Sequence, residues 1–198
     1  MIKNIVFDMG GVLTQYDPDA FMTGLSAEEQ TLLGQEIYHS ENWRRLDRGE
    51  LTEEELTDLV CSRIPSKYCE TAKKLIRWYE LSAPIAGMDA LALRLREKGY
   101  HVYLLSNTSH AFRLFYSQIP ALAHFNDYFI SAEHGMLKPD PKIFQKFCSV
   151  FSLNASECVF VDDSAANVQA ASAQGFTAIQ FDGDSAHLQT TLEKMKIL

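Results

Sequence analysis

We predict that four polar stretches in the sequence lie at the ends of strands in a parallel sheet. They are Asp8, Ser106-Asn107-Thr108, Lys138 and the pair Asp162-Asp163. The carboxyl ends of the strands in a parallel sheet share one edge, so these side chains are expected to meet there. Each stretch alone could be a helix cap or a solvated loop residue. Their joint occurrence favours a single site.

The carboxylates in this set are suited to chemistry on a phosphate group. A carboxylate at a strand end, such as Asp8, can attack phosphorus and form an acyl phosphate that water later hydrolyses. Because the attacked group is an anion, its charge must be neutralised. One divalent cation held by Asp8 and the pair Asp162-Asp163 would do part of this, and ligands that are all oxygen atoms suit Mg²⁺.

The other polar residues are suited to holding the phosphate. Lys138 would offset the repulsion between the phosphate and the carboxylates. The Ser106 hydroxyl and the backbone N–H groups of a tight turn at Gly10-Gly11 would bind the phosphoryl oxygens. Phosphoryl transfer depends mainly on positioning and electrostatics, and these residues would supply both.

Length and composition limit the classes of protein to which the chain can belong. Its 198 residues are enough for one core with a modest inserted module. The net charge of −8 and the sequence pI of about 5.2 argue against a nucleic-acid partner, which would need a basic face. No apolar run approaches the ~20 residues that span a bilayer, and we expect no membrane partner.

The N-terminus and the cysteines favour a cytoplasmic location. The sequence begins on a strand-like segment without a charged and apolar leader. The four cysteines lack the spacing of a metal site, and we expect them to be reduced. They are Cys61, Cys69, Cys148 and Cys158.

Apolar runs alternate with helix-like stretches, which is typical of a parallel sheet with crossover helices. The predicted strands cover residues 5–7, 101–105, 128–130, 158–161 and 178–180. The clearest predicted helices cover residues 90–98, 141–150 and 165–174.

The interval between the first two strands is far longer than one crossover helix requires. Capping boxes at Ser26/Glu29 and Thr52/Glu55 each predict the start of a helix, and a further helix is predicted over residues 66–81. We therefore predict a core formed by residues 1–15 and 82–198, with a helical cap at residues 16–81. The hinges of this cap are expected near residues 15–17 and 82–85.

The four polar stretches and their neighbours resemble the motifs of the haloacid dehalogenase-like (HAD) hydrolase superfamily. The inserted module resembles the small helical cap of that family, and residues 42–52 are similar to the branch that includes bacterial glucose-1-phosphate phosphatases. The resemblance implies an α/β fold, with a Rossmann-like three-layer α/β/α core, a central parallel sheet and an inserted α-helical cap. The motifs are Phe7-Asp8-Met9-Gly10-Gly11-Val12-Leu13, Leu105-Ser106-Asn107, Lys138-Pro139-Asp140-Pro141 and Val161-Asp162-Asp163.

The resemblance also implies roles for single residues. Asp8 would be the nucleophile and a Mg²⁺ ligand, and the carbonyl of Gly10 a further ligand. Asp163 would contact the metal directly, with Asp162 helping directly or through water.

The remaining family positions concern the phosphate and the substrate. Ser106 and Lys138 would bind the phosphate, and Asn107 would orient the loop or the transferred group. The implied partner is a small phosphorylated metabolite, bound by a monomer or a homodimer.

Gly10 departs from the usual phosphatase pattern, in which the residue two positions after the nucleophile is an aspartate. That aspartate protonates the leaving group and later activates water, which is typically worth ~10²–10⁴-fold in rate. Without it, the chain could be a Mg²⁺-dependent phosphatase that uses good leaving groups or a substitute acid such as Asp17, a cap residue or His134. It could instead be a phosphate-binding or regulatory protein, or a 2-haloacid dehalogenase in which Asp8 attacks carbon.

Aromatic and cationic residues of the predicted cap are candidates for substrate selection. An aromatic face and a guanidinium group suit a sugar ring and its hydroxyl groups. For each residue alone, packing within the cap or exposure to solvent is the simpler interpretation. The candidates are Tyr16, Trp43, Arg44 and Arg45.

Overall fold

Alternate residues of the short strands are buried on opposite sides of one sheet, as expected for strands covered on both faces. A computed structural model describes residues 1–198. All neighbouring strands are parallel, in the order β3-β2-β1-β4-β5, and each is one residue longer than predicted. The strands are β1 (Asn4–Phe7), β2 (His101–Ser106), β3 (Asp127–Ile130), β4 (Cys158–Asp162) and β5 (Thr177–Gln180).

Helices flank this sheet on both sides and connect its strands. The α-helices are α1 (Pro18–Phe21), α2 (Ala27–Glu36), α3 (Glu41–Asp47), α4 (Glu53–Cys61), α5 (Cys69–Ile76), α6 (Met88–Glu97), α7 (Phe112–Phe115), α8 (Ser131–His134), α9 (Pro141–Phe151), α10 (Ala165–Ala173) and α11 (Ser185–Lys194). Short 3₁₀ turns cover Ser66–Tyr68, Trp78–Glu80, Tyr116–Gln118, Pro120–His124 and Ala155–Glu157. None of these helices combines the length and the apolar character needed to cross a membrane.

Two apolar clusters cover the two faces of the sheet and confirm the predicted three-layer α/β/α architecture. Ile5 and Phe7 of β1 pack in one cluster with residues of α6, α7 and α11. Val6, between them in sequence, packs in the other cluster with residues of α9 and α10. The central strand is therefore completely buried, and its polar end at Asp8 lies at the edge of a rigid layer.

The predicted helix starts are confirmed, but one predicted helix is wrong in its extent. Ser26 and Thr52 each form both hydrogen bonds of a capping box. The helix predicted over residues 66–81 is divided into a 3₁₀ turn, α5 and a second 3₁₀ turn, because the backbone leaves the helical region at Arg77 (φ −87°, ψ 46°). This break directs Trp78 toward Tyr16, with ring centroids 4.9 Å apart.

All regular structure between β1 and α6 is helical, and we call residues 16–81 the helical segment. Its buried residues Leu33 and Leu56 belong to the same apolar cluster as Ile5 of the sheet. Its two connections to the sheet run side by side, since the Gln15 N–H donates to the Ala83 carbonyl at 2.8 Å. The division into a core and a separate cap stays a prediction.

Candidate active site

A cavity of about 250 Å³ lies where β1, β2 and β4 end. Asp8 and Met9 follow β1 directly, Asn107 follows β2, and Asp163 follows β4. The helical segment supplies the opposite wall of the cavity. The residues that line the cavity are Asp8, Met9, Gly10, Tyr16, Trp43, Asp47, Trp78, Asn107, Lys138, Asp163 and Asn167.

Three buried charges form the floor of the site, and we call Asp8, Lys138 and Asp162 the charged cluster. The Lys138 ammonium nitrogen lies 2.9 Å from Asp8 Oδ2 and 2.6 Å from Asp162 Oδ2. The Lys138 and Asp162 side chains are 1 % and 0 % exposed, so water screens neither charge. At this depth each charge requires a close partner of opposite sign.

Neighbouring amides hold the charged cluster in position. The Asn107 side chain binds the Lys138 backbone twice, since its Nδ2 donates to the Lys138 carbonyl at 3.0 Å and its Oδ1 accepts from the Lys138 N–H at 2.8 Å. Asn167 Nδ2 donates to both oxygens of Asp162, at 3.0 and 3.1 Å. The Ser164 N–H donates to Asp162 Oδ1 at 2.9 Å. The oxygens of Asp162 are thus largely occupied by protein donors.

Burial and mutual attraction shift the titration of these groups. Loss of hydration raises the pKa of Asp8, although the adjacent Lys138 acts in the opposite direction. Burial alone would lower the pKa of Lys138, but attraction to Asp8 and Asp162 outweighs it, and the pKa is raised. Lys138 is therefore a permanent cation at the floor of the cavity.

The carboxylates can accommodate a divalent cation. One oxygen from each of Asp8, Asp162 and Asp163 lies within 4.8 Å of the others. Asp163 is the least buried of the three, and it forms no ion pair. A set of three carboxylates fits a hard cation such as Mg²⁺.

The Asp163 carboxylate occupies space that a side chain on Gly11 would fill. A Cβ atom on Gly11 would lie 2.3 Å from Asp163 Oδ2, and the φ angle of Gly11 is +76°. Both the contact and the left-handed backbone require glycine. The absence of a side chain at Gly11 thus allows the Asp163 carboxylate to take this position.

The wall from the helical segment is aromatic. Tyr16, Trp43 and Trp78 line the cavity. A Cβ atom on Gly10 would lie 3.2 Å from the Cβ of Tyr16, which is a tight contact. A larger residue at position 10 would push Tyr16 by a few tenths of an ångström.

The structure brings most of the predicted site residues to this cavity, but not all of them. Ser106 is buried at the end of β2, and Gly11 lies behind Asp163; neither lines the cavity. Arg44 is exposed and pairs with Glu41 at 3.4 Å, also away from the lining.

Asp17 and His134, the two residues named as substitute acids, do not reach the cavity lining. Asp17 is exposed and caps α1 through hydrogen bonds to the N–H groups of Asp19 and Ala20. The ring of His134 is stacked on Phe129, with centroids 3.8 Å apart. Each of these side chains is thus engaged in another contact outside the cavity.

The sequence analysis missed four lining residues: Met9, Asp47, Trp78 and Asn167. Asn167 lies in the first helical turn after the Asp162-Asp163 pair, and this position is a signal that could have identified it. Asp47 ends α3 among charged residues, which resembles an ordinary solvated helix end. No local pattern distinguishes it.

A buried serine connects Asp47 to the sheet. The Ser131 hydroxyl lies 2.6 Å from the Asp47 carbonyl and 3.1 Å from the Thr108 carbonyl, and it accepts from the Thr108 N–H at 2.8 Å. Nearby, a Cβ atom on Gly49 would lie 2.3 Å from the Ala132 carbonyl. The end of α3 is thus pressed against the segment that follows β3.

Comparison with known proteins agrees with the fold. A family model described as haloacid dehalogenase-like hydrolase matches residues 2–175. A D-ribitol-5-phosphate phosphatase from Bacteroides thetaiotaomicron is 34 % identical over 197 residues, covering 91 % of this chain and 92 % of the relative. The sesquiterpene phosphatase astK from Aspergillus oryzae is 30 % identical over 181 residues, covering 89 % of this chain and 88 % of the relative.

A solved structure shares the fold. It is a HAD family enzyme from Bacteroides thetaiotaomicron in complex with magnesium and inorganic phosphate. The TM-score is 0.72 at 24 % identity, and the match covers 95 % of this chain and 99 % of the other.

Replacement of Lys138 by methionine should destabilise the protein by about 3–5 kcal/mol, because two buried carboxylates then face each other without a cation. Protonation of a carboxylate relieves this repulsion, so the loss of unfolding free energy should be larger at about pH 8 than at about pH 5. Urea unfolding at both pH values measures it. Lys3→Met is the control, since the Lys3–Glu157 pair is largely exposed and should contribute little. A Lys138→Met variant as stable as Lys3→Met would contradict the assigned ion pairs.

Gly11→Ala should lower the free energy of unfolding by about 1–2 kcal/mol through backbone strain, and it should also weaken Mg²⁺ binding by displacing Asp163. Gly99→Ala is a matched control, because Gly99 has a φ of +89° and open space around its Cβ position. Calorimetric titration with Mg²⁺ should separate the two variants. Equal Mg²⁺ affinity in both would show that the Gly11–Asp163 contact does not matter for the cation.

Proposed function

The chain belongs to the haloacid dehalogenase-like hydrolase family, and on this basis we propose that it is a Mg²⁺-dependent phosphatase for small phosphomonoesters. The observation that carries the proposal is the charged cluster at the floor of the cavity, with Asp163 beside it. A nucleophilic carboxylate, a buried cation and a further carboxylate converge on one small space. Phosphoryl transfer requires this combination of positioning and charge.

The proposed reaction begins at Asp8. Its carboxylate attacks phosphorus, the bond to the leaving oxygen breaks, and an aspartyl phosphate forms. Water then attacks the phosphorus of that intermediate, which releases inorganic phosphate and restores the Asp8 carboxylate. The Met9 N–H, which donates to Asp8 Oδ1 at 2.7 Å, holds the carboxylate in a fixed orientation.

Lys138, which lines the cavity beside Asp8, would offset the negative charge of the phosphate. The predicted donation from the Ser106 hydroxyl would require the phosphate to reach past the present lining, because Ser106 is buried at the end of β2. Asp8, Asp163 and the Gly10 carbonyl would hold Mg²⁺, which when bound neutralises charge on the phosphate. Asp162 acts mainly by holding Lys138, because protein donors occupy its oxygens.

The helical segment would act as a cap that selects the substrate. Tyr16, Trp43 and Trp78 present aromatic surface toward the space above Asp8. Such surface suits the carbon skeleton of a small phosphorylated metabolite, including a sugar phosphate. The relatives named above are phosphatases of a phosphorylated polyol and a sesquiterpene, which is consistent with an organic group of small size.

The purified protein should hydrolyse p-nitrophenyl phosphate in the presence of Mg²⁺ and lose this activity with a chelator. Asp8→Asn should abolish turnover, because the amide cannot attack phosphorus. Asp58→Asn is the matched control, since Asp58 is exposed on α4 and should leave the rate unchanged. Phosphate release measured with a panel of sugar phosphates would then rank possible substrates.

Three results, from this assay, from a phosphate-binding measurement and from a chloride-release assay, would contradict the proposal. Turnover equal in wild type and Asp8→Asn would exclude Asp8 as the nucleophile. Binding of inorganic phosphate without any turnover would favour a phosphate-binding or regulatory protein. Chloride release from 2-chloropropionate that a chelator does not affect would favour a dehalogenase.

A further inference from the structure

The cavity contains one carboxyl group that the proposed reaction does not use. Asp47 lines the cavity together with Asp8 and Gly10, although it belongs to α3 of the helical segment. We propose that Asp47 donates the proton to the leaving oxygen and thereby replaces the acid that is absent at position 10. The inference rests on the proposed phosphatase function and assigns one further catalytic residue to it.

The other ionisable groups of the lining are unsuited to this task. Asp8 is the nucleophile, and Asp163 is committed to the cation. Lys138 is held as an ammonium group by two carboxylates. Burial, followed by the charge of Asp47, raises the pKa of Tyr16, so the phenol is a weak acid at neutral pH. Asp47 is the remaining candidate.

A side chain at position 10 would press on Tyr16. A Cβ atom added to Gly10 would lie 3.2 Å from the Cβ of Tyr16, which would have to shift by a few tenths of an ångström. Tyr16 and Asp47 lie close enough for the charge of Asp47 to affect the phenol. Position 10 carries no acid, and the carboxyl group of Asp47 lines the same cavity from the opposite wall.

Asp47 is positioned by its backbone rather than by its side chain. Its carbonyl accepts from the buried Ser131 hydroxyl at 2.6 Å, which fixes the end of α3 against the sheet. Its carboxyl group forms no hydrogen bond or ion pair with the protein. This half-buried carboxyl group is therefore free to bind a substrate atom.

The electrostatic environment keeps a proton available on Asp47. Burial raises the pKa of this carboxyl to about 7, although Arg44 and Lys138 act in the opposite direction. An acid with a pKa near the working pH is the most effective proton donor. The exposed Arg44 would thus influence the acid, without contact with the substrate.

The proton balance closes over the two steps. The Asp47 carboxyl gives its proton to the bridging oxygen as the phosphorus–oxygen bond breaks, so that an alcohol leaves and Asp47 becomes a carboxylate. The carboxylate then takes a proton from the water that attacks the aspartyl phosphate. Phosphate leaves, and both carboxyl groups return to their initial states.

Asp47→Asn tests this role through its dependence on the leaving group. An alkyl phosphate such as glycerol 1-phosphate releases an alkoxide that needs a proton, whereas p-nitrophenyl phosphate releases a phenolate that does not. We expect kcat/KM for the alkyl phosphate to fall by ~10²–10⁴-fold and that for p-nitrophenyl phosphate by less than about tenfold. Asp163→Asn is the contrasting variant, since loss of a metal ligand should lower both rates together.

The ratio of the two rates is independent of how much of the variant is folded, so the test holds even if Asp47→Asn is less stable. Asp47→Ala should show the same change in the ratio. An equal fall for both substrates, or no fall for the alkyl phosphate, would overturn the assignment of Asp47 while leaving the phosphatase proposal intact. A wild-type protein with no more activity than Asp8→Asn would overturn both.

Discussion

The Lys138 ammonium group between two buried carboxylates is the interaction on which the rest of the site depends. Removal of ions from water costs several kcal/mol for each ion, so none of the three charges could be buried alone. Their partners come from the end of β1, the end of β4 and the loop before α9. The cluster therefore requires the strand ends to be aligned, and the apolar layers on both sides of the sheet provide that alignment.

Amide groups make the arrangement specific. Asn107 fixes the backbone of Lys138, and Asn167 fixes the carboxylate of Asp162. These two side chains are neutral, so they orient the charges without changing their sum. The consequence is a division of labour between adjacent aspartates: Asp162 faces the lysine, and Asp163 faces the cavity.

The sheet and the floor of the site could be predicted because both have local signatures. Apolar runs of strand length predicted all strands to within one residue, and polar residues at their ends predicted Asp8 and the Asp162-Asp163 pair. The cavity wall formed by the helical segment has no such local sequence pattern. Trp78 faces the cavity next to a backbone break at Arg77, and Asp47 lies where Ser131 binds its carbonyl. Both contacts join residues that are distant in sequence or depend on a local break, which periodicity does not reveal.

The Ser131 hydroxyl group is shared between α3 and the sheet. A hydroxyl group carries a single proton, so Ser131 can donate to the Asp47 carbonyl or to the Thr108 carbonyl, but not fully to both. The shorter distance, 2.6 Å against 3.1 Å, favours the Asp47 carbonyl. A proton that turned to Thr108 would leave the Asp47 carbonyl without this donor. This hydrogen bond between α3 and the sheet therefore depends on the orientation of one hydroxyl group.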